Sequence, residues 1–329
     1  MSGILTTIDT KTGPLDDITF PSVTVCNLNL LRWNRLKSIM HPNISKEITA
    51  WYSEHMTGKG SFDEEHERII NSDIYALKVN GPIQREMTNL SILCNDLFTY
   101  VRYQDQVLRW YSMQDMVTDP NATFTRGPYM SPTLNQGLCC LLSPQIGIDR
   151  KWADYSELSM LLTNATPGAD SGVAHGLFFI LDIESYDYAH IDAEGVGARV
   201  FFHHHQDKPS VSDSSAVMIA PGELTMINMK PSLYLTTPAA LDAFDPKGRD
   251  CFSDEDDIEL KFTPRSDGYR YSMSNCLFNY KLQVTEEVCG CNPYRNKIMD
   301  PERSDQEMCL GKNIGCMWDV IGRSRSAID

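Results

Sequence analysis

Apolar and polar positions change their period several times along the chain, and each change predicts a different element. The first clear run is Phe20-Pro-Ser-Val-Thr-Val-Cys-Asn-Leu-Asn29. Val23, Thr24, Val25 and Cys26 are β-branched or easily buried, which predicts a strand. Pro21 stands where a strand can begin, because its missing N–H costs least there, and Asn27 and Asn29 favour the turn that ends it. Residues 1–17 are polar, with Gly13-Pro14 as a breaker. After Leu30 the apolar spacing becomes helical. It predicts a helix capped by Ser45 and running through Trp51 and His55, a second over Met87–Leu97 and a third over Gln106–Met116.

Strand-like composition returns from Gly176. Gly176–Ile183, the segment from Gly197, Ala216–Ala220 and Leu224–Leu235 are mostly strand-like in their β-branched and aromatic content. From Phe244 the pattern shifts again. Ser253–Glu259 is an acid run, and Lys281–Val288 predicts a helix ending at Cys289-Gly-Cys291. There is no internal repeat and no low-complexity tract.

Composition narrows the class. The 329 residues are 42% hydrophobic, enough for one large or two ordinary domains with a core. The net charge of −15 disfavours a nucleic-acid surface, which needs basic stripes, and a basic membrane-surface patch. It fits a solvated surface or a cation-attracting one. Ten cysteines and the sequons at Asn43, Asn89, Asn121 and Asn164 together favour an oxidising compartment. No apolar run reaches the roughly 18–20 residues of a membrane helix, and Met1–Thr7 has neither the basic nor the apolar region of a signal peptide.

The candidate chemistry is sparse. Cys289, Cys291, Cys309 and Cys316 are read as zinc ligands or as disulfides; a Cys-x-Cys pair is closer than structural zinc sites space their first two ligands, which favours disulfides. In His203-His204-His205 the outer two share a strand face, but a third ligand is missing unless Asp207 joins. Ser272 and Ser274 lack a nucleophile elbow, and Gly195-Val-Gly197 precedes a strand rather than opening a helix, so it is no phosphate loop. No catalytic residue, cofactor site or metal site is assigned, and the chain is not read as an enzyme.

Several runs carry a family resemblance. Phe20–Asn29, Gly137-Leu-Cys-Cys-Leu-Leu-Ser143, Gly176-Leu-Phe-Phe-Ile-Leu-Asp-Ile183 with Tyr188, and Gly197–Pro209 come first. Ile219-Ala-Pro-Gly-Glu223, Tyr271-Ser-Met-Ser-Asn-Cys276 and Val288-Cys-Gly-Cys-Asn-Pro-Tyr294 follow in the same order. The set resembles the extracellular region of the degenerin, epithelial sodium channel and acid-sensing ion channel superfamily. One departure is Cys140, which stands where the family has an aromatic residue.

The resemblance implies an α+β fold with antiparallel palm and β-ball sheets, a helical finger and a disulfide-rich helical thumb. Its parts would be a post-membrane lead-in at 1–17, the first palm strand at 18–30, finger with knuckle at 31–136, palm and β-ball strands at 137–240, and an incomplete thumb at 241–329. It implies the pairs Cys26–Cys139, Cys289–Cys316 and Cys291–Cys309. The first would close a loop of about 113 residues, contributing about 4–5 kcal/mol in the chain-entropy model. Cys251 and Cys276 would lack partners, which the family carries further on, and Cys94 has only Cys140 as a spare candidate.

The function implied is the extracellular part of an amiloride-sensitive type sodium channel subunit at the plasma membrane, gated by a ligand, a peptide or force. Its partners would be other subunits in a homo- or hetero-trimer, sodium ions in a full-length pore, and a peptide ligand; nucleic acid is not expected. The family's membrane helices flank this region, so the chain is read as a fragment or incomplete gene product without the pore. A secreted pore-less binding module and a hydrolase built on the histidine run are the alternatives. A family gating pocket would involve Asp207, Lys208 and Asp319. Lys208 replaces an acid there, and Trp318 and Gly322 occupy the other acidic positions, so proton gating by this pocket is not expected.

Overall fold

A computed structural model of the chain describes residues 20–29, 31–39, 91–103, 106–107, 129–133, 137–142, 176–189, 195–204, 207, 216–230, 237–249, 271–291, 309, 316–317 and 319–320. The expected helix at Ser45–His55, the four sequons, Cys251, Lys208, His205, Trp318, Gly322 and the Ser253–Glu259 run lie outside the described residues.

The first strand, β1 (Ser22–Asn27), is buried at every position. It is central because both of its edges are paired, to β5 (Gly137–Leu142) on one side and β7 (Ala198–His203) on the other. With β4 (Tyr129–Thr133) and β8 (Ala216–Ile219) outside them, the antiparallel order is β4-β5-β1-β7-β8. Three polar residues on β1 are buried with it, Ser22, Thr24 and Asn27. The Thr24 hydroxyl lies 2.8 Å from His203 Nε2, a diagonal contact on the β1–β7 ladder, where His203 stands opposite Ser22 and Thr24 opposite Phe201.

A second antiparallel sheet has the order β3-β2-β6, from β2 (Phe98–Tyr103), β3 (Gln106–Val107) and β6 (Leu177–Leu181). One core joins the two sheets. Val23, Val25, Leu142 and Val200 from the first sheet meet Phe98, Val101 and Tyr103 from the second, with Ile92 and Leu97 between. Phe98 and Phe179 meet edge to face at 5.6 Å, as do Phe20 and Tyr103 at 5.0 Å.

Neighbouring cysteines on a strand point to opposite faces, and β5 uses both. Cys139 is bonded to Cys26, the position opposite it in the β1–β5 register, and packs with Phe201. Cys140 faces the shared core and is bonded to Cys94, the first residue of the single-turn helix α2 (Cys94–Leu97). The helix before it in the chain, α1 (Trp33–Ile39), follows the exit of β1.

Two helix expectations are corrected in part, with residues 87–90 and 108–116 outside the described residues. Over Met87–Leu97 only Cys94–Leu97 is helical among the described residues, because Phe98 starts a strand that turns the apolar side chains into the two-sheet core. Gln106–Val107, expected to open a helix, pairs with Tyr103 and Arg102 as a strand. Short apolar runs of this kind satisfy either period, and the tertiary partner decides. The strand expected at Leu224–Leu235 carries no ladder over 224–230, and Leu224 and Met226 are exposed.

The longest described helix is α5 (Met273–Cys289), which begins earlier than Lys281. Ser272 caps it, its hydroxyl oxygen accepting from Asn275 N at 3.1 Å. Gly290 ends it in the left-handed region at φ 66°, its N–H donating to the Glu286 carbonyl. A small core of Leu282, Cys291, Cys309 and Met317 lies at this end, closed by Cys289–Cys316 and Cys291–Cys309. Two short helices, α3 (Pro238–Ala243) and α4 (Pro246–Arg249), each start on proline, whose missing N–H needs no partner in a first turn. No helix among the described residues is long and apolar enough to cross a membrane.

Candidate functional site

The turn residues that end β1 do more than stop a strand. Asn29 N donates to Asn27 Oδ1 at 2.8 Å, and Asn27 Nδ2 donates to the Ile183 carbonyl at 3.0 Å. Asn29 Nδ2 donates to the Asp187 carbonyl, 3.1 Å away. The Tyr188 hydroxyl donates to Asn27 Oδ1 at 2.8 Å and accepts from Gly197 N at 3.2 Å. These bonds fasten the exit of β1 to the connection between β6 and β7. Gly197 has φ 154°, and a Cβ on it would collide with the Ile219 carbonyl, so the start of β7 requires glycine.

Arg32 completes this junction from just before α1. Its guanidinium reaches Asp96 Oδ2 at 2.9 Å on α2, Glu184 Oε1 at 2.9 Å and Asp187 Oδ2 at 3.5 Å. Asp187 is shared, since its Oδ1 accepts from Asn34 N at 2.7 Å in the first turn of α1. The Glu184 and Asp187 side chains are 8% and 4% exposed, so removing their cation would strand two buried charges. The other Glu184 oxygen, Oε2, is buried without a hydrogen-bond partner.

Backbone geometry puts Glu184 under further constraint. It is the one described non-glycine residue with positive φ, at 48°. Asp182 Oδ1 accepts from its N–H at 3.0 Å, and its carbonyl accepts from Asp187 N at 2.8 Å, closing the 3-10 turn Ser185–Asp187. Burial pushes the Glu184 carboxyl above its ordinary range, Arg32 opposes this, and Asp96, Asp182 and Asp187 add to the rise. The exposed Tyr186 hydroxyl, 3.5 Å from Glu184 Oε1, is raised chiefly by that carboxylate. The junction has no nucleophile with an adjacent base. What it can do is hold α1, α2, β1 and the β6–β7 connection in one arrangement.

The residues singled out from sequence are placed elsewhere. Asn275 Nδ2 lies 3.5 Å from Asp207 Oδ1, at the first turn of α5. Asp319 follows Cys316, which is bonded to Cys289 at the last turn of the same helix. From Asn275 to Cys289 the helix rises about 21 Å, so the Asp207 contact and the disulfide that precedes Asp319 lie at its opposite ends. Of the histidine run, His203 is engaged in the fold: its Nδ1 donates to the His204 carbonyl at 3.0 Å and its Nε2 accepts from Thr24. Among the described residues no group of three or more ligating side chains is placed to hold a metal ion. Cys276 is a free thiol in the first turn of α5, and burial raises it, which weakens it as a nucleophile. Sequence reasoning missed Arg32, Asp96, Glu184 and Asp187; the only signal was the acid-rich run after Leu181.

The sequence pattern defining the amiloride-sensitive sodium channel family matches residues 1–327. The chain belongs to that family. Its similarity to individual members is distant: 24% identity to the epithelial sodium channel subunit alpha of Neoceratodus forsteri, over 85% of this chain and 48% of that one. The same subunit of Cavia porcellus is 22% identical over 84% of this chain and 45% of its own length. That of Pelodiscus sinensis is 23% identical over 85% and 48%. The chain thus spans about half the length of these relatives. Members of the amiloride-sensitive sodium channel family are ion channels and not enzymes. The mixed fold, with antiparallel sheets and four disulfides, suits an extracellular domain of this family.

Proposed function

We propose that this chain is the extracellular part of a sodium channel subunit, acting as the receptor that turns an external stimulus into movement of a pore. The observation that carries this reading is the family match over nearly the whole chain. In this reading the five-stranded sheet around β1 is the palm, and α5 with its two terminal disulfides is the thumb. Residues 31–136 supply the finger, and residues in 137–240 also form the β-ball. The complete protein sits in the plasma membrane as a homo- or hetero-trimer, conducts sodium ions and is blocked by amiloride. The stimulus is a peptide or mechanical load. Lys208 and the residues Trp318 and Gly322 at the other acidic positions make a proton-closed pocket with Asp207 and Asp319 a poor fit to this reading.

The test is expression of the complete coding sequence in oocytes. An inward sodium current blocked by amiloride, and sequons occupied by glycan at Asn43, Asn89, Asn121 or Asn164, is the expected outcome. Release of the whole product into the medium, with no current, would instead establish a secreted binding module and sink the channel reading.

A further inference from the structure

Arg32 is outnumbered. Four carboxylates gather around the Arg32 guanidinium: Asp96 on α2, and Asp182, Glu184 and Asp187 along the β6–β7 connection. With Arg32 as the cation, the junction carries an excess of three negative charges when all four are ionised. Their surroundings differ. The Asp96 side chain is 40% exposed and keeps much of its water. Asp187 has both oxygens engaged, by Asn34 N and Arg32. Asp182 accepts from a backbone N–H. Glu184 alone combines a side chain 8% exposed, one oxygen on Arg32 and one buried oxygen with no partner.

We propose that the Arg32 junction is a proton-operated latch in which Glu184 Oε2 takes up the proton, and that uptake tightens the hold between the start of α1 and the turn after β6. Protonation at Oε2 removes the cost of burying the charge, and the repulsion from Asp96, Asp182 and Asp187; together these outweigh the Coulombic attraction to Arg32 that is given up, while Oε1 still accepts from the guanidinium. The sign follows from linkage. A carboxyl that burial raises above its unfolded value binds protons better when folded. Its stabilisation is therefore fully present below the unfolded value and is lost as pH rises through the folded one. Mild acid strengthens this junction. The other charged and titratable groups facing Glu184 are the Arg32 guanidinium, the cation of the junction, and Tyr186, whose hydroxyl that carboxylate raises above its ordinary range. The latch is a property of the chain itself and stands whether or not the channel reading does.

Amide hydrogen exchange on the intact chain tests it, at pH 7.5 and pH 5.5 with correction for intrinsic exchange. The N–H groups of Glu184, Asp187 and Ala189 report the turn, because they bond to Asp182, Glu184 and Leu31 respectively. They should be about threefold more protected at the lower pH, within the tenfold per pH unit that one linked proton allows. Glu184→Gln, a mimic of the protonated side chain, should show the higher protection at both pH values. Equal protection in the unaltered chain, or a pH difference that persists in Glu184→Gln, overturns the proposal. If that variant does not fold, carboxyl-carbon NMR of the unaltered chain decides. A Glu184 signal that titrates between these pH values supports the latch, and a flat one ends it.

Discussion

The two-sheet region and the end of α5 are both held by disulfides, yet they use them differently. In the sheets, Cys26–Cys139 and Cys94–Cys140 are embedded in a core that already buries Val23, Val25, Leu97, Phe98, Val101 and Leu142. At the end of α5 the described buried core is Leu282 and Met317 with the cysteines themselves. The sheet region can therefore carry a buried network of charge, because its apolar packing offsets the cost of desolvating Arg32, Glu184 and Asp187. The α5 end has little packing to spare, so covalent links take the place of area. Lys281 on α5 is buried as well, so the contrast lies in the size of the apolar core around the disulfides and not in the burial of charge alone.

The largest effect expected from testing that contrast is at Arg32. Arg32→Ala leaves Glu184 and Asp187 buried without their cation and should cost about 3–5 kcal/mol, read from the urea midpoint. A loss under 1 kcal/mol would mean that the network is peripheral. Next comes Cys291→Ala with Cys309→Ala, which opens an 18-residue loop. About 3 kcal/mol should be lost, with exchange rising across Lys281–Cys289 while β1 amides stay protected. Exchange rising equally in β1 would merge the two regions into one cooperative unit. Ser272→Ala removes the cap of α5 and should cost about 1 kcal/mol, seen in the same urea experiment. The smallest change is expected from Leu224→Ser. Its side chain is exposed on a segment outside both regions, and the shift should stay within about 0.5 kcal/mol. A larger loss would reveal packing against this segment.

Much of the sheet region was legible before any coordinates. The runs at Ser22–Asn27, Leu177–Leu181 and Ala198–His203 carry β-branched and aromatic residues dense enough to read as strands, and they are strands. The helix at Lys281–Val288 was legible too, though its cap at Ser272 was not, because the intervening Asn275 and Ser274 carry no apolar period. Val107 fits a helical spacing that a short strand satisfies equally, whereas Leu97 does lie on a helix, of one turn only, because Phe98 opens a strand.

The junction was a different matter. An arginine before a helix and scattered acids after a strand look like solvated surface in any acidic chain, and a net charge of −15 makes carboxylate neighbours unremarkable. Local sequence determined the strands and cap residues, because backbone preference and side-chain alternation act over a few positions. It also carried the family, because the recognisable runs keep their order along the chain. Only the tertiary structure brought Arg32 to Asp96, 64 positions away, and to Glu184, 152 positions away. A charge is buried or solvated according to what packs over it, and that covering comes from segments remote in sequence. The physics of Glu184 was therefore decided by the fold and not by its neighbours in the chain.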